Sequence, residues 1–482
     1  MDSAFLSALT QIVGPDHVVD SPAERATYES DGLAKLRATP GVVVLPGTAA
    51  EVQRVVQRCH AANVPFVARG QGTGLSGGAM PHPDGVLIVL TRLNRVLDID
   101  IPNQRITVEP GIMNLEVTKA VAKDGCYYAP DPSSQVICSI GGNVAENSGG
   151  AHCLKYGFTV HHVLGVEAVL PNGEMVTIGG AALDPPGLDL LGVLVGSEGT
   201  LAVVTKVTLR LLRKPAAVQT LLAAFDSTEG AGNAVSGIIS AGIIPAAVEM
   251  MDRTTIEASE AAVHPNFPVA EAILIVELDG AEAEVTALFA EVERVCRDAD
   301  AREIQIAQSD AARARFWMGR KAAFAAMGRV SPSYYVQDGV IPRTKLPEVL
   351  RRIRALETES GLRIGNVFHA GDGNLHPLVC YDDRVPGQAD LAQRVASQIL
   401  TFCLDVGGSI TGEHGVGADK AEHMPKMFSE TDLDTMQLVR CGFDPKNLCN
   451  PGKVFPTPRL CGEVPGPYRA HPAETAGLAE RA

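Results

Sequence analysis

The alternation of apolar and polar positions along the chain changes period several times, and each change marks an element. Residues 41 to 67 read strand, helix, strand. GVVVLP is a short β-branched run, TAAEVQRVVQRCHAAN repeats its apolar residues at helical spacing behind a Thr cap, and VPFVA is the next strand. GVLIVL, RVLDID and RITVEP follow as strands, with Asn103 in the turn between the last two. A helix over MNLEVTKAVAKDG leads through YAPDPSS to SIGGNVAENSGG. From 163 to 212 the pattern is β again, through VLGVEAVL, a PNGE turn, MVTIGG and GVLVGSEGTLAVVTKVTLRLL.

Beyond Lys214-Pro215 the character changes. QTLLAAF, a helix through AVSGIISAG, then AILIVELDG and AEVTALFAEVERVCRDA alternate strand with helix. This predicts an α+β layer whose helices cover one face of an antiparallel sheet. NVFHAGDGNLHPLVCY reads as a hairpin, and LAQRVASQILTFCLDVGG as a helix closed by paired glycines. The expected division is a first domain over 1–213, a second over 214–414, a C-terminal segment over 415–456 and a loosely ordered, Pro- and Gly-rich tail over 457–482.

Composition narrows the function classes. The formal charge is −15 and no basic cluster stands out, which argues against nucleic acid and anionic membrane surfaces as direct partners. No apolar run approaches the roughly 18 residues of a spanning helix, so no membrane anchor is expected. The N-terminal MDSAFLSALTQIVG lacks the basic start and long apolar core of a signal peptide, and a cytoplasmic location is expected. The ten cysteines form no CxxC pair, so they read as reduced thiols, and no iron–sulfur cluster is expected within the chain.

Three glycine clusters carry candidate chemistry. RGQGTGLSGG, residues 69–78, places five glycines in ten positions. Main-chain N–H groups without Cβ atoms in the way form a concave nest suited to a pyrophosphate, although a Gly-rich loop alone is often only a loop. It is neither GxGxxG after a Rossmann strand nor GxxxxGK[ST]. SIGGNVAENSGG and VGSEGTLAVVT add small residues beside strands, where a flat ring could lie on bare backbone.

Together with PGT at 46–48, VEPG at 108–111 and PDPSS at 130–134, these clusters resemble the vanillyl-alcohol oxidase flavoproteins, which share the p-cresol-methylhydroxylase type of FAD-binding fold. The resemblance runs from about 40 to 456. It implies FAD contacts at Pro46, Arg69, Gly70, Gly72, Thr73, Gly74, Ser76, Gly77, Pro110, Gly111, Asp131, Pro132, Ser133, Gly141, Gly142, Asn143, Asn147, Gly150, Glu198, Gly199 and Asn450. Covalent attachment in this superfamily usually uses a histidine in or near the glycine loop. Here Gln71 and Thr73 stand there and His82 lies beyond, so dissociable FAD is expected, with His152 as the residue to inspect.

In the second half, FHAGDGNLHPLV at 368–379 and GSITGEHGVG at 408–417 resemble the signature pair of the D-2-hydroxyacid dehydrogenases. FWMGRKAAFAAMGRVSPSYYVQDGVIPR and FDPKNLCNPGKVFP bring the resemblance nearest to the catalytic-subunit family of bacterial glycolate oxidases. If His369 and His376 lie on paired strands they can face each other, with Cβ atoms about 4.5–5.5 Å apart when directly opposed. Two imidazoles so placed reach one divalent ion, but His-x6-His is not by itself a metal pattern, and a hydrogen-bonded hairpin stands beside that reading.

The resemblance supplies Glu413 as third ligand of a zinc-like or other transition metal. It also makes His414 the general base, splayed from Glu413 toward substrate, Arg320 the clamp on the substrate carboxylate, and Asn374 a further catalytic residue. Family members that take dicarboxylates tend to show a further basic residue in this stretch; SPSYYVQDG has no Lys or Arg, so the resemblance implies a small monocarboxylate. The implied activity is oxidation of a 2-hydroxy acid, glycolate before D-lactate or D-2-hydroxyglutarate, with hydride passing to flavin N5. A separate iron–sulfur subunit, a second flavin subunit and quinone would take the electrons, which would put the assembly at the inner face of the cytoplasmic membrane. The alternative is a flavin electron-relay subunit without a substrate site.

Overall fold

The computed structural model describes residues 1–182 and 187–456, so the tail expected over 457–482 lies outside the described residues. The strand–helix–strand unit forms as its pattern requires. Val42–Val44 and Phe66–Arg69 flank Val86–Val89 and pair with it in parallel. The intervening helix Ala49–Ala62 is capped by Thr48 and buries Val52, Val55, Val56 and Cys59. A second, antiparallel sheet orders Val96–Asp100, Arg105–Val108, Val203–Arg210, Val163–Val169 and Met175–Gly179.

Two stretches read as loop or strand are helical. Ile140–Glu146 begins where Ser139 Oγ accepts from the Gly142 N–H, and Leu190–Leu194 where the Asp189 carboxylate accepts from Gly192. The caps and the burial of Ile140, Val144, Leu191 and Leu194 outweigh the poor helix propensity of the glycines.

The second half is built on Ala217–Phe225, Ala272–Gly280, Ala247–Asp252 and Ile364–His369, neighbours in one antiparallel sheet. Helices cover both of its faces, not one. Leu274 and Val276 pack under Thr228–Ser240, Glu282–Asp298, Leu346–Ser360 and Gln388–Asp405. Ile273 and Ile275 face the other way, into a cluster with Arg253–Val263 and Asp310–Ala326. A strand buried on both faces has no polar side, which is why AILIVEL runs unbroken instead of alternating.

The C-terminal segment returns to the first half. Phe66 N–H donates to Leu448 O at 2.8 Å and Asn450 N–H to Phe66 O at 2.8 Å, while Ser76 O in the glycine loop accepts from Ala418 and Asp419. Cys59, Cys126, Cys138, Cys153, Cys296, Cys380, Cys403 and Cys449 are free and buried. Among the described residues, no helix is long and apolar enough to cross a membrane.

Candidate active site

A cavity of about 520 Å³ opens between the two halves. Its first wall carries Arg69, Gly70, Gly72, Thr73, Gly74, Pro110, Pro132, Ser133, Gly141, Gly142, Asn143, Glu198 and Gly199 of the expected FAD contacts. The glycines serve two ends there. A Cβ on Gly70 would run into the Ser139 side chain, and one on Gly141 would come within 2.7 Å of Pro110 Cβ, so these two permit close packing. A Cβ on Gly74 would meet nothing nearer than Asp31 Oδ2 at 3.7 Å, so the bare surface there belongs to the cavity. Bare backbone with Leu194, Ala202 and Val204 beside it suits a pyrophosphate and a flat ring, and the wall fits FAD.

The remaining expected contacts stand behind that wall. Pro46 is buried and does not line the cavity. Ser76 and Gly77 seat the returning C-terminal segment, and Gly111 lies against the Leu90 and Leu93 carbonyls. Asn147 caps its helix and accepts from Val160, and Asn450 donates to the carbonyls of Gly78 and Glu198 at 3.0 and 2.7 Å. Gly150 packs on Asp131, whose carboxylate faces away toward His152. His152 itself is held between Asp131 and Glu277, and no histidine of the first half lines the cavity among the described residues.

The second wall is charged. His376, Glu413 and His414 line it, together with Lys321, Phe324, Tyr334 and Val336. The hairpin register differs from the expectation: His369 is paired with Asn374, and His376, two residues on, is its diagonal neighbour. The rings are still in reach, with centroids 5.2 Å apart and planes at 88°. Glu413 Oε1 lies 3.4 Å from His369 Nε2 and 3.0 Å from His376 Nε2. Both Nε2 atoms are buried and face Glu413 Oε1, so two imidazole nitrogens and a carboxylate converge on one point.

Each ligand candidate is held from behind. His369 Nδ1 meets Glu249 Oε1 at 2.7 Å, and burial, which lowers its pKa, is outweighed by Glu249 and Glu413, which raise it. A histidine fixed through its other nitrogen presents a set tautomer to a metal. Burial would raise the Glu413 pKa, but the two imidazoles hold it well below the usual carboxylate range. His414 is stacked on His376, centroids 4.9 Å apart and planes at 6°. Its Nε2 is 3.7 Å from Glu413 Oε1, so the neighbours are less splayed than expected. Burial pulls the His414 pKa down to about 4, against the opposing pull of Asp338, which leaves the ring neutral near pH 7.

Sequence reasoning passed over the residue that builds this wall. Asp338 is fully buried and accepts from the Gly412, Glu413 and His414 backbone N–H groups, from Thr411 Oγ1, from Asn374 Nδ2 and from Lys420 Nζ. It therefore shapes the TGEHG loop. Asn374, expected as catalytic, is a strut on Asp338 and does not line the cavity. Arg320 is buried as well, with Nε and Nη2 at 2.7 and 2.6 Å from Glu249 Oε2. Its neighbour Lys321 is the cation of that helix that lines the cavity. The missed signal was a carboxylate inside a buried apolar run: Glu249 in AVEMMD and Glu277 in AILIVEL.

Comparison with known proteins decides the family. A model described as FAD binding domain matches residues 40–179, and one described as FAD linked oxidases, C-terminal domain, matches 214–454. The chain belongs to the FAD-linked oxidases. This FAD-linked oxidase is 49% identical over 462 residues to glycolate oxidase subunit GlcD of Escherichia coli K12, covering 96% of this chain and 93% of that one. It is 37% identical to GlcD of Bacillus subtilis, covering 93% and 96%, and 30% identical to a D-lactate dehydrogenase of Anaerostipes hadrus, covering 92% and 95%. The oxidase shares its fold with p-cresol methylhydroxylase at a TM-score of 0.79 and 16% identity, over 94% of this chain and 96% of that one. FAD is its cofactor, and FAD-dependent 2-hydroxy-acid oxidation is the activity of the group.

Proposed function

We propose that this oxidase converts glycolate to glyoxylate with non-covalently bound FAD and one divalent metal ion. The observation that carries the reading is the convergence of the buried His369 and His376 Nε2 atoms on Glu413 Oε1, with His376 and Glu413 lining the FAD cavity. Two histidines and one carboxylate leave coordination positions open, the arrangement of a catalytic and not a structural metal site. When bound there, a divalent ion would acidify the hydroxyl of a 2-hydroxy acid. FAD, when bound, supplies the two-electron acceptor.

The residues do the rest. His414, neutral in its buried setting, accepts the hydroxyl proton on its imidazole. The substrate carboxylate meets positive charge from the Asp310–Ala326 helix, at Arg320 or at Lys321 beside it. Phe324, Tyr334 and Val336 make the surrounding wall apolar or aromatic and favour a small acid. That no first-half histidine lines the cavity among the described residues supports dissociable FAD. A separate iron–sulfur subunit, a second flavin subunit and quinone are the proposed route for the electrons. Those partners would hold it at the inner face of the cytoplasmic membrane.

Anaerobic mixing of the purified FAD-loaded protein with glycolate, D-lactate and D-2-hydroxyglutarate tests the reading. Glycolate is expected to bleach the flavin fastest. Faster bleaching by either rival reassigns the substrate, and no bleaching by any 2-hydroxy acid leaves an electron-relay subunit.

A further inference from the structure

His152 and Asp131 belong to the FAD-binding half, yet both side chains are turned away from the cavity. His152 Nδ1 lies 2.8 Å from Asp131 Oδ2, and its Nε2 lies 3.2 Å from Glu277 Oε1 in the middle of the other half's sheet. Glu277 is 1% exposed and also accepts from Thr220 Oγ1, Arg313 Nε and Nη2, and Trp317 Nε1, all within 2.6–2.8 Å. Two residues along the same strand, Asp279 takes Lys155 Nζ at 2.5 Å and the Tyr156 hydroxyl at 2.7 Å. The segment 152–156 is thus fastened at two points to one strand of the opposite half.

That fastening continues into the cavity wall. Arg313, Trp317 and Lys321 follow one another at i, i+4 and i+8 on the Asp310–Ala326 helix, so they share a stripe. The Lys321 ammonium sits over the Trp317 ring, 5.9 Å from its centroid, and the His152 ring lies 5.5 Å from the same ring. Lys321 and Phe324 then line the cavity.

We infer that Asp131, His152 and Glu277 form an interdomain latch that sets the helix carrying Lys321 and Phe324, and that His152 is a positioning residue for the substrate. The charges alternate along the chain of contacts, Asp131, His152, Glu277, Arg313, so each carboxylate is neutralised. Burial would lower the His152 pKa, but Asp131 and Glu277 outweigh it and carry it up to about 10, which keeps the ring charged at neutral pH. The positional role rests on the reading that the cavity takes a 2-hydroxy acid; the latch does not.

The chain contains a single tryptophan, and it is Trp317. Its emission therefore reports on the latch without reference to turnover. His152→Gln keeps hydrogen-bonding groups and removes the charge; Asp131→Asn opens the latch from the other end should the first variant fail to fold. Both are made in the full chain loaded with FAD. The expected result is wild-type FAD content, a red-shifted Trp317 emission, and KM for glycolate raised about tenfold with kcat within about twofold, an order below what a 1 Å misplacement can cost. In a Lys321→Met background the same change should add little to KM. Unchanged emission in both variants would overturn the latch. A shifted emission with unchanged KM would overturn the positional role. A wild-type protein that oxidises no 2-hydroxy acid fails the functional reading instead, and the emission still decides whether His152 holds the helix.

Discussion

On one side of the cavity, Gly70, Gly72, Gly74, Gly141 and Gly142 present backbone; on the other, His376, Glu413, His414 and Lys321 present ionisable side chains. The first wall is made by what its residues lack, and each position can be judged from its own neighbours. The second is made by groups that depend on one another: His369 on Glu249, the TGEHG loop on Asp338, Glu249 on Arg320. Cofactor binding and metal-site chemistry are therefore separable, and removing a group from one wall should spare the occupant of the other.

The sharpest break of that separation comes from the metal-type site. His376→Ala and Glu413→Ala are each expected to abolish glycolate oxidation and strip the metal while the protein stays yellow. Metal analysis beside the flavin absorbance checks it, and wild-type protein that holds no metal and ignores chelators would sink the metal reading. The reciprocal change is Gly74→Val. Because only Asp31 approaches a Cβ there, the chain has room for the side chain and the cofactor does not. Colourless, folded protein is the expected outcome, and a fully yellow variant would move the FAD off this loop.

His414→Asn sharpens the comparison within the second wall. Asparagine retains polarity but cannot take the proton, so flavin reduction should slow by about 10²–10⁴-fold with metal and FAD retained. His414 also groups with Asp338 and His376 as a second set of metal-type ligands, so loss of metal in this variant would make it a ligand. Arg320→Met should lower kcat/KM by roughly ten- to 150-fold, the loss of about 1.5–3 kcal/mol in one charged hydrogen bond. If the metal leaves as well, Arg320 acts as the counter-charge of Glu249, and Lys321 is the residue that meets the carboxylate.

The smallest expected effect concerns stability. The folded pKa of His152, about 10, lies above its ordinary 6.5. The latch's contribution is therefore complete below pH 6.5 and is lost as pH rises through about 10. The urea midpoint of wild type should exceed that of His152→Gln at pH 6, with the gap closing toward pH 11. A gap that widens with pH would mean the ring is neutral in the folded protein.

Local pattern was enough to read the strand, helix and strand over 41–67 and the glycine loop, because those depend on spacing, capping and the absence of Cβ within a few residues. The parallel pairing with 86–89 was not legible there, and the GEHG loop was legible through resemblance. The candidate ligands His369, His376 and Glu413 were legible through resemblance, and the fold brings them together. The hairpin register was not legible, since a turn such as AGDGNL leaves open which residues oppose each other, and here His369 meets Asn374. Nor was the coverage of the sheet, because an apolar strand records that it is buried and not what buries it. Asp338, Glu249 and Glu277 were invisible as organisers for the same reason. A buried carboxylate is tolerable only where several donors converge on it, and those donors come from residues 36 to 125 positions away. Sequence named the chemistry that could occur in the cavity; only the packing of the two halves decided which carboxylates hold histidines, which hold backbone, and which fasten one half to the other.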